Sequence, residues 1–183
     1  MGEKREQIYR LKRTARFQGE RRIGLDTNIL VDLIENPRFF SNEGDQILGD
    51  TAFVHRISLE PDKEATHILQ KKGRSLKEAT QELTEFLKNN KIQVIERDST
   101  NRETVRELFN LCKKNNIEMH PPDCYIIADF KKERINLVYS TNNHFKQACK
   151  LMGMGVGEFP TMDKKIKDFF RQTYGRRSKT RRR

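Results

Sequence analysis

The chain has 183 residues, 34% of them hydrophobic and 34% charged, which is enough apolar side chain for one buried core and too much for a disordered chain. Its three cysteines, Cys112, Cys124 and Cys149, form no CxxC pair, which argues against a zinc ribbon and against a secreted disulfide framework. No run approaches the roughly 20 apolar residues of a spanning helix, and the N-terminus has no apolar stretch of signal-peptide length. The expectation is therefore a soluble, cytoplasmic protein with no membrane partner.

In chain order the first element is a basic arm. Residues 1–22 carry eight Lys or Arg against three Glu, while the tail 175–183, GRRSKTRRR, carries six cations and no acid. Together these ends account for the whole net charge of +11, because residues 23–174 hold 23 basic and 23 acidic side chains. The expected organisation is an N-terminal arm (1–22), a neutral globular domain (23–174) and a flexible tail (175–183). Cationic ends suit a polyanion. Five of the six tail cations, Arg176, Arg177, Arg181, Arg182 and Arg183, are Arg, with Lys179 the sixth. Arginine's planar fork pairs with phosphate and stacks on bases, so the tail is a candidate RNA contact.

Within the domain, RIGLD from Arg22 to Asp26 reads as a short strand, and Asn28 to Glu35 as a helix stopped by Asn36 and Pro37. Residues 37–50, rich in turn formers, suggest an irregular connection or a short helix. AFVHRIS is the second strand, followed by a helix for which Pro61 suits the first position and in which Glu64 lies near the start. Ser75 with Glu78 forms a capping box before an apolar face of Leu76, Ala79, Leu83, Phe86 and Leu87; KIQVIE is the third strand. Thr100 with Glu103 repeats the box ahead of Val105, Leu108, Phe109 and Cys112. A Pro-Pro entry leads to a helix starting at Asp123, INLVYST is the fourth strand, and Asn142 stands at its tip before another helix. MGVGEF can form a fifth strand, and a last helix turns Ile166, Phe169 and Phe170 inward. Alternating strands and helices predict a three-layer α/β/α sandwich around a mostly parallel sheet of about five strands, with right-handed crossovers.

Such sheets bind ligands beyond the carboxyl ends of their strands, where the strand order reverses. Four oxygen-bearing residues fall at or near those ends: Asp26, Glu64, Asp123 and Asn142. Hard oxygen ligands suit Mg²⁺ or Mn²⁺, whose chemistry on phosphate esters is water activation and charge neutralisation. Each residue also has a structural reading as a helix cap, a dipole partner or a turn residue. Asp129 is set aside because an offset of six from Asp123 turns it roughly 120° around the helix. His144 reads as a surface residue, His120 as a residue that could support Asp123, and the cysteines as buried thiols.

IGLDTNILVDLI and DCYIIADFKKERINLVYSTNNHF resemble the PIN-domain ribonucleases, a family that includes the VapC-type toxins, over about residues 22–160. In the second block the spacing of Ser140, Asn142 and Phe145 carries the likeness. The resemblance implies that Asp26 and Asp123 hold a metal ion most directly, that Asn142 fills a position often occupied by Asp, and that Glu64 is the remaining acid. Ser58, six residues earlier, favours Glu64 over its neighbours Glu60 and Asp62. Thr27 and Asn28 would support Asp26 or touch substrate. With Asn at 142 one negative charge fewer is present, which favours one ion over two. The implied activity is an Mg²⁺- or Mn²⁺-dependent endoribonuclease acting on structured or ribosome-related RNA, as a toxin or in RNA processing. The implied partners are a second copy of the chain and an antitoxin or a ribonucleoprotein. The other reading is a PIN-like RNA-binding or assembly module with a weakened site.

Overall fold

The computed structural model describes residues 21–49, 53–95 and 101–174, so the arm up to residue 20 and the tail cations Arg176, Arg177, Lys179, Arg181, Arg182 and Arg183 lie outside the described residues. Among the described residues five strands and eight helices follow in order: β1 (Arg21–Leu25), α1 (Thr27–Glu35), α2 (Pro37–Leu48), β2 (Phe53–Ser58), α3 (Leu59–Lys71), α4 (Leu76–Asn89) and β3 (Gln93–Ile95). They continue with α5 (Arg102–Lys114), α6 (Pro121–Lys132), β4 (Leu137–Tyr139), α7 (Asn143–Leu151), β5 (Gly155–Gly157) and α8 (Met162–Tyr174). The sheet order is β3-β2-β1-β4-β5. Every neighbouring pair is parallel. The expected three-layer sandwich is present, and the sheet is wholly parallel. None of the described helices is long and apolar enough to cross a membrane.

The two faces of the sheet bury different cores. Ile23 and Leu25 of β1, Ile57 of β2 and Tyr139 of β4 join α1–α4 in one cluster, while Val138 of β4 joins α5, α6 and α7 in the other. This is the period of two that a strand covered on both sides requires. Gly24 points to the second face, where a Cβ would lie 2.7 Å from the Phe130 ring, so only glycine lets α6 pack this closely on the central strand. Strand order reverses between β1, which leads outward to β2 and β3, and β4, which leads to β5. That reversal brings residue 26 beside residue 140.

Several local expectations are settled or corrected. Of the two alternatives for residues 37–50, a helix is the one formed, over Pro37–Leu48 with a kink at Phe40. Burial of Phe40 and Ile47, and stacking of Phe40 on Phe159 at 5.0 Å, override the weak propensity of the turn formers between them. Helix α3 starts at Leu59, two residues before Pro61. Helix α6 starts at Pro121, with Asp123 in its first turn rather than at its start. Leu76, Phe109 and Ile166 are exposed. The side chains of Phe169 and Phe170, and all of Thr100, lie outside the described residues; Asn101 is the residue that precedes α5. The Ser75–Glu78 capping box forms in both directions.

Candidate active site

The site is built where β1 and β4 end side by side. The Asp26 N–H donates to the Tyr139 carbonyl at 3.1 Å, which extends the ladder by one residue and fixes Asp26 at the mouth of the strand reversal. Asp26 caps α1, its Oδ1 accepting the Thr27 N–H at 2.8 Å. Its Oδ2 accepts from Ser140 Oγ at 2.6 Å and from Asn28 Nδ2 at 2.9 Å. Ser140 Oγ in turn accepts the Asn142 N–H at 3.0 Å, and Asn28 Oδ1 accepts the Thr141 N–H at 3.2 Å. One carboxylate is therefore locked by both strand ends, and its rotamer is set before any ligand arrives.

Asp26 is only 5% exposed. Burial lifts its pKa from 3.8 to about 6, the bonds from Ser140 and Thr27 oppose the rise, and the charges of Asp123 and Glu64 add to it. Asp123 is half-buried and is raised in the same way, first by burial and then by Glu64, with His120 acting in the other direction. Glu64 sits across the site on α3, its Oε2 accepting from Thr27 Oγ1 at 2.6 Å. The charge of Glu64 thus reaches both Asp26 and Asp123 at the carboxyl end of the sheet. A cleft of about 590 Å³ opens beside them, lined by Lys63, Glu64, His120, Pro122, Asp123 and Asn142.

All four acids and amides expected from the sequence converge here, but in different roles. Glu64, Asp123 and Asn142 line the cleft, and Asp26 lies beneath it. The side-chain oxygen of Asn142 already accepts from the backbone N–H groups of His144 and Phe145, so it caps α7 while standing on the rim. Thr27 is buried and Asn28 half-buried, and both side chains hold carboxylates within the site. The side chains of Glu60 and Asp62 lie outside the described residues. His144 is exposed, as expected. His55 is buried, its Nε2 2.6 Å from the Ile47 carbonyl on the opposite face. Cys112, Cys124 and Cys149 are free and buried; burial pushes the Cys124 thiol up to about 11 and the Cys149 thiol higher, so neither is a nucleophile.

Two further residues belong to the site. Ser140, which the sequence marked only as part of the Ser140, Asn142 and Phe145 spacing and without a role, makes the shortest contact of Asp26. Lys63 lines the cleft with nothing in the sequence to mark it beyond adjacency to Glu64.

The donor set suits a hard cation. Among the described residues no three His, Cys, Asp or Glu side chains form a group that could by itself hold a metal ion. Burial, with the charge of Glu64 added, raises both Asp26 and Asp123, and a bound cation would oppose that rise.

The family model described as a PIN domain matches residues 23–151. No curated protein matches the sequence. Among solved structures the chain is similar to VapBC2 from Rickettsia felis bound to a promoter DNA fragment, at 18% identity and TM-score 0.59, covering 74% of this chain and 97% of that one. It is similar to VapBC-1 from nontypeable Haemophilus influenzae at 15% identity and TM-score 0.56, covering 75% and 97%. It is also similar to VapC20 of Mycobacterium tuberculosis, described as a sarcin-ricin loop cleaving toxin, at 17% identity and TM-score 0.54, covering 69% and 94%. Identities this low carry the fold and not the chemistry.

Proposed function

This chain belongs to the PIN domain family, and from that premise we propose that it is a divalent-metal-dependent endoribonuclease whose reaction takes place in the cleft between α3 and α6. The observation that carries the reading is the convergence of Asp26, Glu64 and Asp123 at the strand reversal, with the carboxylates of Asp26 and Asp123 raised first by burial and then by neighbouring acidic charge, that of Glu64 in both cases. Structural acids are normally ion-paired, whereas acids that repel are kept for a cation or a proton.

In this reading Asp26 and Asp123 hold Mg²⁺ or Mn²⁺, Glu64 faces them across the cleft, and Asn142 stands at the rim. When bound, the ion supplies Lewis acidity for activating water and offsets charge that builds on the phosphate. The chain supplies the rest. Ser140, Thr27 and Asn28 fix the Asp26 carboxylate, so no reorganisation is needed when the charged substrate enters. Thr27 holds Glu64 toward the same point. Lys63 and His120 line the cleft and partly offset its negative field for an incoming phosphate. The basic ends, with their Arg-rich tail, add affinity that is independent of RNA sequence. The RNA-cleaving description of the similar M. tuberculosis toxin supports this substrate class. Association with a second copy of the chain and with an antitoxin or ribonucleoprotein belongs to the same proposal.

A second reading, a PIN-like RNA-binding module in RNA processing or ribosome assembly, is favoured by the neutral Asn142 and the use of its oxygen as a helix cap. Labelled structured RNAs incubated with the full chain and Mn²⁺ separate the two. Cleavage by the wild type and not by Asp26→Asn or Asp123→Asn is the result expected of the nuclease. Equal cleavage by all three, or binding without cleavage across several RNAs, overturns it.

A further inference from the structure

Asp129 lies one and a half turns beyond Asp123 on α6, is 1% exposed, and forms no part of the cleft lining. Its Oδ2 accepts from Ser58 Oγ and its Oδ1 from Asn101 Nδ2, both at 2.7 Å. Ser58 and Asn101 are the residues that precede α3 and α5, yet neither side chain caps its own helix. Ser and Asn are strong capping residues, and forgoing a cap costs about 1 kcal/mol. Two helix starts thus give up their local bond and reach instead for one buried carboxylate. Helix α3 carries Glu64 and α6 carries Asp123, the two acidic walls of the cleft, and the Ser58–Asp129 bond ties the first residue before one wall to the body of the other.

We propose that Asp129 is a positioning residue that sets the separation of Glu64 and Asp123, and through it the fit of the cleft to a small divalent cation. The inference rests on the proposed metal-dependent function. The mechanism is geometric. Octahedral Mg²⁺ or Mn²⁺ tolerates little error in ligand distance, and a shift of α3 against α6 moves one wall while leaving Asp26 locked to β1 and β4. Asn101 adds a third element, so α5 packs on the same point and resists rotation of α6 about its axis.

The test uses the full chain and reads the thermal shift induced by Mn²⁺ alone, without RNA. Ser58→Ala should raise the Mn²⁺ concentration at half-maximal shift by about three- to tenfold, with melting in EDTA only slightly lowered. Ser58→Thr, which keeps the hydroxyl, should restore the wild-type midpoint. Asp129→Asn can still accept from Asn101 while donating to Ser58 Oγ, and should stay near wild type. Ile47→Ala, a core truncation on α2, which is neither wall of the cleft, should lower melting in EDTA and leave the Mn²⁺ midpoint in place. A wild-type shift that Ser58→Ala and Asn101→Ala both leave unmoved overturns the positioning role alone. No Mn²⁺-induced shift in the wild type overturns the metal-dependent function and the positioning role together.

Discussion

The two ends of the sheet handle charge in opposite ways. Near the amino ends of the strands Glu133 receives Arg22 at 3.3 Å and Arg56 at 2.9 Å, and Arg22 also donates to the Glu133 carbonyl, so one acid is shared by two cations. At the carboxyl ends Asp26, Glu64 and Asp123 face one another, and Asp26 is deprived of solvent. The paired end serves the fold: it pins β1 and β2 to the turn that precedes β4. The unpaired end costs stability, and folds retain such an arrangement where a ligand with the missing charge is expected.

Removing charge from the acidic end should do most to the reaction and little to the fold. Asp123→Asn should lower single-turnover cleavage by about 10²–10³-fold, the range lost when one strong electrostatic contributor is deleted, while circular dichroism stays native. The next effect is on pH. Folded Asp26 holds its proton up to about pH 6, whereas the unfolded chain releases it near 3.8. The metal-free protein should therefore be most stable below about pH 4 with respect to this group and lose up to about 3 kcal/mol as pH rises through 6. Urea titrations at pH 4, 5, 6 and 7 in EDTA measure this, and Asp26→Asn should flatten the profile.

The paired end should respond in the reverse sense. Glu133→Gln should cost about 1–2 kcal/mol in urea, discounted because all three partners are partly exposed, while cleavage per folded molecule is unchanged. A drop in cleavage would dissolve the distinction between the two ends. The smallest effect is expected of Asn142→Asp, which keeps the cap on α7 because Asp caps as well as Asn. Its added charge should tighten Mn²⁺ binding about three- to tenfold by calorimetry.

Much of this was legible because it is local. Asp26 announced itself as an acid between an apolar strand and an apolar helix, and Asp123 as an acid two residues after a Pro-Pro helix entry. What the sequence hid is what pairing across the sheet creates. Ser140 becomes the partner of Asp26 only because β4 lies beside β1, and a one-dimensional pattern carries no sign of that. Asp129 was set aside on helical geometry; it does point away from the cleft, toward Ser58 and Asn101, and no spacing rule links residues 58, 101 and 129. Helix α2 was left open against an irregular connection for a related reason: the burial of Phe40 against Phe159 overrides composition, and the contact joins residues that are distant in the chain.

The bond from Ser140 to Asp26 joins positions 114 residues apart, at the end of β4, which lies beside β1 and inside the edge strand β5. Closing so long a loop is slow, and its entropy is lost before any contact compensates. During synthesis, therefore, α1 through α6 can emerge and pack while Asp26 still lacks the residue that completes its surroundings. The acidic site matures late, after the chain has passed position 140, and a nascent or truncated chain that stops short of β4 carries the acids without the finished site. Order of synthesis thus sets when the acidic site is complete.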